Sequence, residues 1–90
     1  MIRAFVFIEA EPTRVQELVP ELAGMKLASS VIKEVHALTG RYDLMFEVVA
    51  DDDEELLRLL SRLRSRDDVV EAEAFVCLKL FKQTFAWGAR

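Results

Sequence analysis

Five consecutive residues, Thr39, Gly40, Arg41, Tyr42 and Asp43, form the densest set of groups with chemistry in this chain of 90 residues. Asp43 can accept from an ammonium group. Arg41 and the backbone amides around Gly40 can donate to a carboxylate, and glycine lets a ligand approach closely. Tyr42 offers an amphipathic wall. The same residues also have a purely structural reading. Thr39 and Asp43 bond the local backbone in many turns, and a tyrosine at such a place packs at an interface. The residues alone leave both readings open.

Other candidates are weaker. His36 is the only histidine. It could serve as a general base, but no conventional partner is evident in the sequence, and a lone histidine in an edge strand is more often structural or solvated. Cys77 is the only cysteine. That excludes an internal disulfide and a two-cysteine metal motif, so the metal assignment is none and no cofactor is called for. Cys77 lies in an apolar run and reads as a small buried hydrophobe. The acidic run Asp51 to Glu55 lacks the alternating oxygen donors and the glycine of a calcium loop. It reads as a helix start, with one Asp as cap and the other acids at the positive end of the helix dipole.

The elements that must position the turn follow from periodicity. Ile2 to Ala10 alternates with two apolar faces, Ala4, Val6 and Ile8 against Phe5 and Phe7, the mark of a strand covered on both sides. Glu11-Pro12 breaks it. Thr13 to Gln16 has the form of a capping box, and Val15, Leu18, Val19 and Leu22 then make one helical stripe that passes through Pro20 towards a stop at Gly24. Val31 to Leu38 is a strand with a wet side, carrying Lys33, Glu34 and His36. Leu44 to Ala50 is a strand that is nearly all apolar. The short Gly40 turn between them predicts a β-hairpin. Leu56, Leu59, Leu60 and Leu63 form the buried stripe of a second helix, with Arg62, Arg64 and Arg66 towards its C-terminal end. A last strand is predicted over Val69 to Phe81, with Val70, Ala72, Ala74, Val76, Leu78 and Leu80 on one face. Residues 1–82 make one domain, and 83–90, with Phe85 and Trp87, make a tail.

The order strand, helix, strand, strand, helix, strand predicts an α+β fold, the ferredoxin-like βαββαβ sandwich with a four-stranded antiparallel sheet. Each helix is a crossover between parallel central strands or their neighbours. The two most apolar strands fall in the centre and the two with charges fall at the edges. Two helices cover one sheet face only. Four or five bulky apolar side chains left on the other would forgo about 1.5–3 kcal/mol each. Dimerisation of two copies through the sheet is therefore expected.

The stretch Val35-His36-Ala37-Leu38-Thr39-Gly40-Arg41-Tyr42-Asp43-Leu44 resembles the effector domain of the Lrp/AsnC regulators, known as RAM, with its Thr-Gly-x-Tyr-Asp turn between two strands. The acidic helix start at Asp51 to Glu55 and the Val-rich run from Asp68-Val69-Val70 onwards resemble the same domain, so the likeness covers most of the chain. It implies a sensor that forms dimers and a higher homo-oligomer and binds an amino acid or a related small effector near the hairpin turns, through Thr39, Gly40, Arg41, Tyr42 and Asp43. Family regulators carry a DNA-binding helix-turn-helix before this domain. Here Met1 directly precedes the first strand, so the chain resembles a stand-alone form, expected to bind no nucleic acid itself and to act through full-length Lrp/AsnC regulators.

Charge agrees with that expectation. The net charge is −4, whereas a phosphate-binding surface needs clustered Lys and Arg. The same charge, with no Lys/Arg-Gly-Phe pattern, counts against an RNA-binding RRM in which Phe5 and Phe7 would stack on bases. No apolar run is long enough to span a membrane, and the N-terminus lacks a signal-peptide layout, so a cytoplasmic protein without a membrane partner is the expectation. The rival reading is a small dimeric α+β barrel enzyme of the oxygenase or isomerase type that uses His36 in a closed pocket. An ACT-type regulatory module, with sheets side by side, is a further rival. The reading adopted is non-enzymatic.

Overall fold

Alternation in the first strand determines which side chains turn inward. In the computed structural model, which describes residues 1–27 and 29–82, the elements are β1 (Ile2–Ala10), α1 (Val15–Ala23), β2 (Val31–Ala37), β3 (Leu44–Ala50), α2 (Asp53–Arg64) and β4 (Val69–Val76). The sheet order is β2-β3-β1-β4, and all three neighbouring pairs are antiparallel. This is the ferredoxin-like α+β fold expected from the pattern. One expectation is corrected: the central strands β1 and β3 are not parallel to each other. The parallel strands are those joined by a helix, and each such pair has a third strand between its members.

Ala4, Val6, Ile8 and Ala10 of β1 and Leu44, Phe46, Val48 and Ala50 of β3 are buried beneath the helices. Leu18 and Leu22 of α1 and Leu56, Leu59, Leu60 and Leu63 of α2 complete that core. Val15 and Val19 pack at its margin, as the helical stripe predicts. On the other sheet face Phe5, Phe7, Met45 and Val49 are half-buried, and Phe75 and Val31 are exposed.

Local chemistry sets the helix ends. Asp52 caps α2 by accepting from Glu55 N at 2.9 Å, and Arg62 and Arg64 occupy its last turn. The capping box expected at Thr13 to Gln16 does not form. Pro12–Arg14 makes a 3₁₀ turn instead, and Glu11 caps it by accepting from Thr13 N. Glu11 precedes a proline, which favours extended backbone there. Its ψ is 126°, so it can take the capping position itself. Helix α1 runs through Pro20 and ends at Gly24, whose N–H bonds Pro20 O at 3.0 Å.

The last strand departs most from expectation. It ends at Val76, where the pairing with β1 stops: Val76 lies opposite Ala4, and Cys77 N donates to Arg3 O at 2.8 Å. Leu78 and Phe81 are exposed beyond it. A register shift between Glu9 and Ala10 places Val69, not Val70, opposite Ala10. Val69 is therefore buried and Val70 faces solvent, the reverse of simple alternation. The tail 83–90 lies outside the described residues.

Where α2 turns into β4, Asp68 is 2% exposed. Its carboxylate accepts from Arg66 Nε at 2.8 Å and Nη2 at 2.9 Å, and Arg14 stands 3.7 Å away. Arg66 also pairs with Glu21 of α1. The network joins α1, the 3₁₀ turn and the start of β4.

Candidate functional site

The turn between β2 and β3 is tied to the sheet chiefly by Asp43. Its backbone N–H donates to Ile8 O and its carbonyl accepts from Leu38 N, both at 2.8 Å. Its Oδ2 accepts from Ala10 N at 2.8 Å. The reason is register. Pairing of β1 with β3 ends at Ile8 opposite Leu44, which leaves the Ala10 N–H without a strand partner on that side. The Asp43 carboxylate supplies the missing acceptor. One oxygen of the proposed ammonium acceptor is thus engaged with the protein's own backbone.

Thr39 and Gly40 form the exposed tip. Gly40 has φ of 122°, and a Cβ there would meet nothing within 4 Å. The position is open to an incoming group. No side-chain hydrogen bond of Thr39 is found among the described residues.

Arg41 and Tyr42 reach back across the open sheet face. The Tyr42 hydroxyl donates to Glu73 Oε1 at 2.6 Å, and Arg41 Nη2 lies 3.2 Å from Glu71 Oε2. The Arg41 guanidinium sits over the Tyr42 ring, 5.1 Å from its centroid. Phe7 lies beneath, 5.5 Å from Tyr42 and 5.6 Å from Phe75, centroid to centroid. The hairpin is thereby clasped to β4 over the top of β1. Glu73, by accepting the hydrogen bond of the phenol, pushes the Tyr42 pKa up, and burial adds to the effect. Arg41 is 70% exposed and Glu71 41%. Their ion pair is solvated and exchangeable.

Glu71, Glu73 and Phe7 were not among the residues singled out from the sequence. There Glu71 and Glu73 fall on the other face of the last strand from Val70, Ala72 and Ala74. Alternation puts them on one face with Phe75, but only the fold places Phe7 across from Glu73.

The remaining candidates lie elsewhere. His36 is exposed on β2, with Nε2 3.6 Å from Glu34 Oε2. Cys77 is a free thiol just past β4. Among the described residues no group of three or more His, Cys, Asp or Glu is placed to hold a metal ion, and no helix is long and apolar enough to cross a membrane. One cavity of about 110 Å³ is lined by Leu27, Ser30, Glu55, Arg58, Leu59 and Arg62. A second of about 240 Å³ is lined by Met1, Ile2, Arg3 and Val49. Neither borders the hairpin turn or His36.

Comparison with known proteins adds a family. The model of the Lrp/AsnC ligand binding domain matches residues 3–87. No curated protein matches. Among solved structures, TTHA0845 of Thermus thermophilus is 31% identical, with 92% of this chain and 100% of that one covered and a TM-score of 0.79. AsnC of E. coli is 16% identical, with 92% of this chain and 55% of that one covered and a TM-score of 0.77. The transcriptional regulator NMB0573 of Neisseria meningitidis, solved as its L-Met complex, is 21% identical, with 93% of this chain and 54% of that one covered and a TM-score of 0.73. The chain thus spans about half the length of these two regulators, and the likeness to them is one of fold.

Proposed function

The chain belongs to the Lrp/AsnC ligand binding domain family, a family of regulatory effector-binding modules, and on that premise we propose that it senses an amino acid or a related small effector at the hairpin turn and has no enzymatic role. The observation that carries the proposal is the state of Arg41. Its guanidinium is exposed, sits over Tyr42, and among the described residues is paired only with a half-exposed carboxylate. A ligand carboxylate can take that place at small cost, since a solvated pair contributes about 0–1 kcal/mol. Gly40 leaves its backbone approachable, and Tyr42 forms one wall. Thr39 shapes the tip, and Asp43 holds the turn in register.

The hairpin site is open on one chain, and a second copy would supply its other wall. The half-buried aromatic and aliphatic residues on the open sheet face, Phe5, Phe7, Met45 and Val49, support a homodimer through the sheet, on which a higher homo-oligomer is built. The module would act on full-length Lrp/AsnC regulators by forming mixed assemblies through the same surfaces, without itself binding DNA. The enzyme alternative has less support, because His36 lies on an exposed edge and neither cavity reaches it.

Light scattering tests the proposal, run with and without each of the twenty amino acids. The expected result is a mass of at least twice that of the chain that changes with one amino acid. In Phe5→Asp/Phe75→Asp the mass is expected to fall to that of one chain. A wild-type monomer indifferent to every amino acid would overturn the proposal.

A further inference from the structure

The clasp also bears on how the ligand is read. Asp43, the sequence's candidate for the ammonium, already accepts from Ala10 N at 2.8 Å. Among the described residues Glu71 does not serve the backbone in this way; its carboxylate meets only the Arg41 guanidinium there, at 3.2 Å. Glu73 lies two residues along the same strand face and holds Tyr42. Glu9 stands opposite Glu71 in the β1–β4 pairing. Glu71 and Glu73 thus lie beside one guanidinium, with Glu9 on the same sheet face, and the local balance is negative.

We infer that Glu71, not Asp43, is the ammonium acceptor of the effector site, and that the ligand binds by inserting its zwitterion between Arg41 and Glu71. This rests on the effector reading given above. In the free chain the two side chains satisfy each other. On binding, the ligand carboxylate takes the Arg41 fork and its ammonium takes the freed Glu71 carboxylate. One ion pair becomes two, and net charge is conserved at each end. Tyr42 stays under the guanidinium and Glu73 stays on the Tyr42 hydroxyl, so the platform is unchanged by the exchange. The local excess of negative charge selects against ligands with a further carboxylate. The effector class is therefore an α-amino acid whose side chain is neutral or cationic.

The inference has a signature that a gate or a bystander would not give. Glu71→Gln removes the ammonium acceptor and also releases Arg41. Binding of a ligand with an ammonium should weaken, while binding of the same ligand without it should strengthen. The probes are L-methionine, its des-amino analogue and L-glutamate, with L-leucine and its des-amino analogue as a second pair, all measured by isothermal titration on the full chain.

In the wild type the amino acid is expected to bind more tightly than its des-amino analogue, and L-glutamate more weakly than either amino acid of the pairs. In Glu71→Gln the amino acid is expected to weaken by about tenfold or more, the scale of a lost charge-assisted hydrogen bond, and the des-amino analogue to gain. Glu71 is half-exposed on an edge strand, so the variant should fold, and its melting curve checks this. Wild-type binding of an amino acid left unchanged by Glu71→Gln would overturn the inference and leave the effector reading intact. A loss of both ligands together would also overturn it, because a gate or a scaffold would then suffice. A wild type that binds no amino acid would overturn the effector reading, and the inference with it.

Discussion

The Tyr42 hydroxyl donates to Glu73 Oε1 at 2.6 Å, a bond that crosses over β1 and joins the base of the hairpin to the edge strand β4. It works only while the phenol keeps its proton. Glu73 holds the Tyr42 pKa above its ordinary value. A group whose folded pKa is raised contributes stability that is fully present below the unfolded pKa and lost as pH rises through the folded one. For a tyrosine that window opens above about pH 10. Urea unfolding of wild type and Tyr42→Phe should differ by a constant amount up to that pH. Above it the difference should shrink. A difference independent of pH to the alkaline limit would show that the bond contributes nothing.

Asp43→Ala should destabilise by about 1–3 kcal/mol, the cost of leaving the Ala10 N–H without its acceptor. Asp43→Asn keeps an acceptor oxygen and should recover most of the loss. Urea unfolding of the two variants measures both. Hydrogen exchange at Ala10 then localises the effect: its amide should exchange faster in the Ala variant and recover in Asn.

Gly40→Ala probes backbone strain alone, because a Cβ there touches nothing within 4 Å. At φ of 122° an L side chain is strained, and the cost should be about 1–3 kcal/mol. The slope of unfolding against urea should stay unchanged, since no core group moves. A neutral outcome would mean that the turn relaxes to another conformation.

Asp68 should govern the acid side. Hydrogen bonds from Arg66 hold its pKa down against the opposing effect of burial, with further help from the Arg66 and Arg14 charges. A depressed carboxylate contributes stability present above its unfolded pKa and lost as pH falls through the folded one. Wild-type stability should therefore decline below about pH 4, and Asp68→Asn should be less stable at neutral pH by about 1–3 kcal/mol with a flatter acid limb. Thermal melts across that range decide it.

Much of this was legible because it is periodic. Ala4, Val6 and Ile8 against Phe5 and Phe7 named the two faces of β1. The leucines of α2 named its buried stripe, and the run Leu44 to Ala50 matched β3 residue for residue. The failures share one physical cause, which is dependence on a distant partner. The inward residue of β4 is Val69 because of a shift in its pairing with Glu9 and Ala10. The strand stops at Val76, where its pairing with β1 ends. Thr13 lost its expected capping role to Glu11, where backbone geometry and not the motif decided. At the site, the turn residues were evident from their types. Their partners, Ala10 for Asp43 and Glu71 and Glu73 for Arg41 and Tyr42, lie 30 or more positions away and no local pattern points to them.

On the proposed function, Arg41 at the hairpin turn receives a small amino-acid effector. Melting temperature against each of the twenty amino acids, in wild type and in Arg41→Ala, tests it most directly. At least one amino acid is expected to raise the wild-type melting temperature in a concentration-dependent way, and Arg41→Ala is expected to fold but lose the shift. A wild type that responds to none, or an equal response in Arg41→Ala, would contradict it.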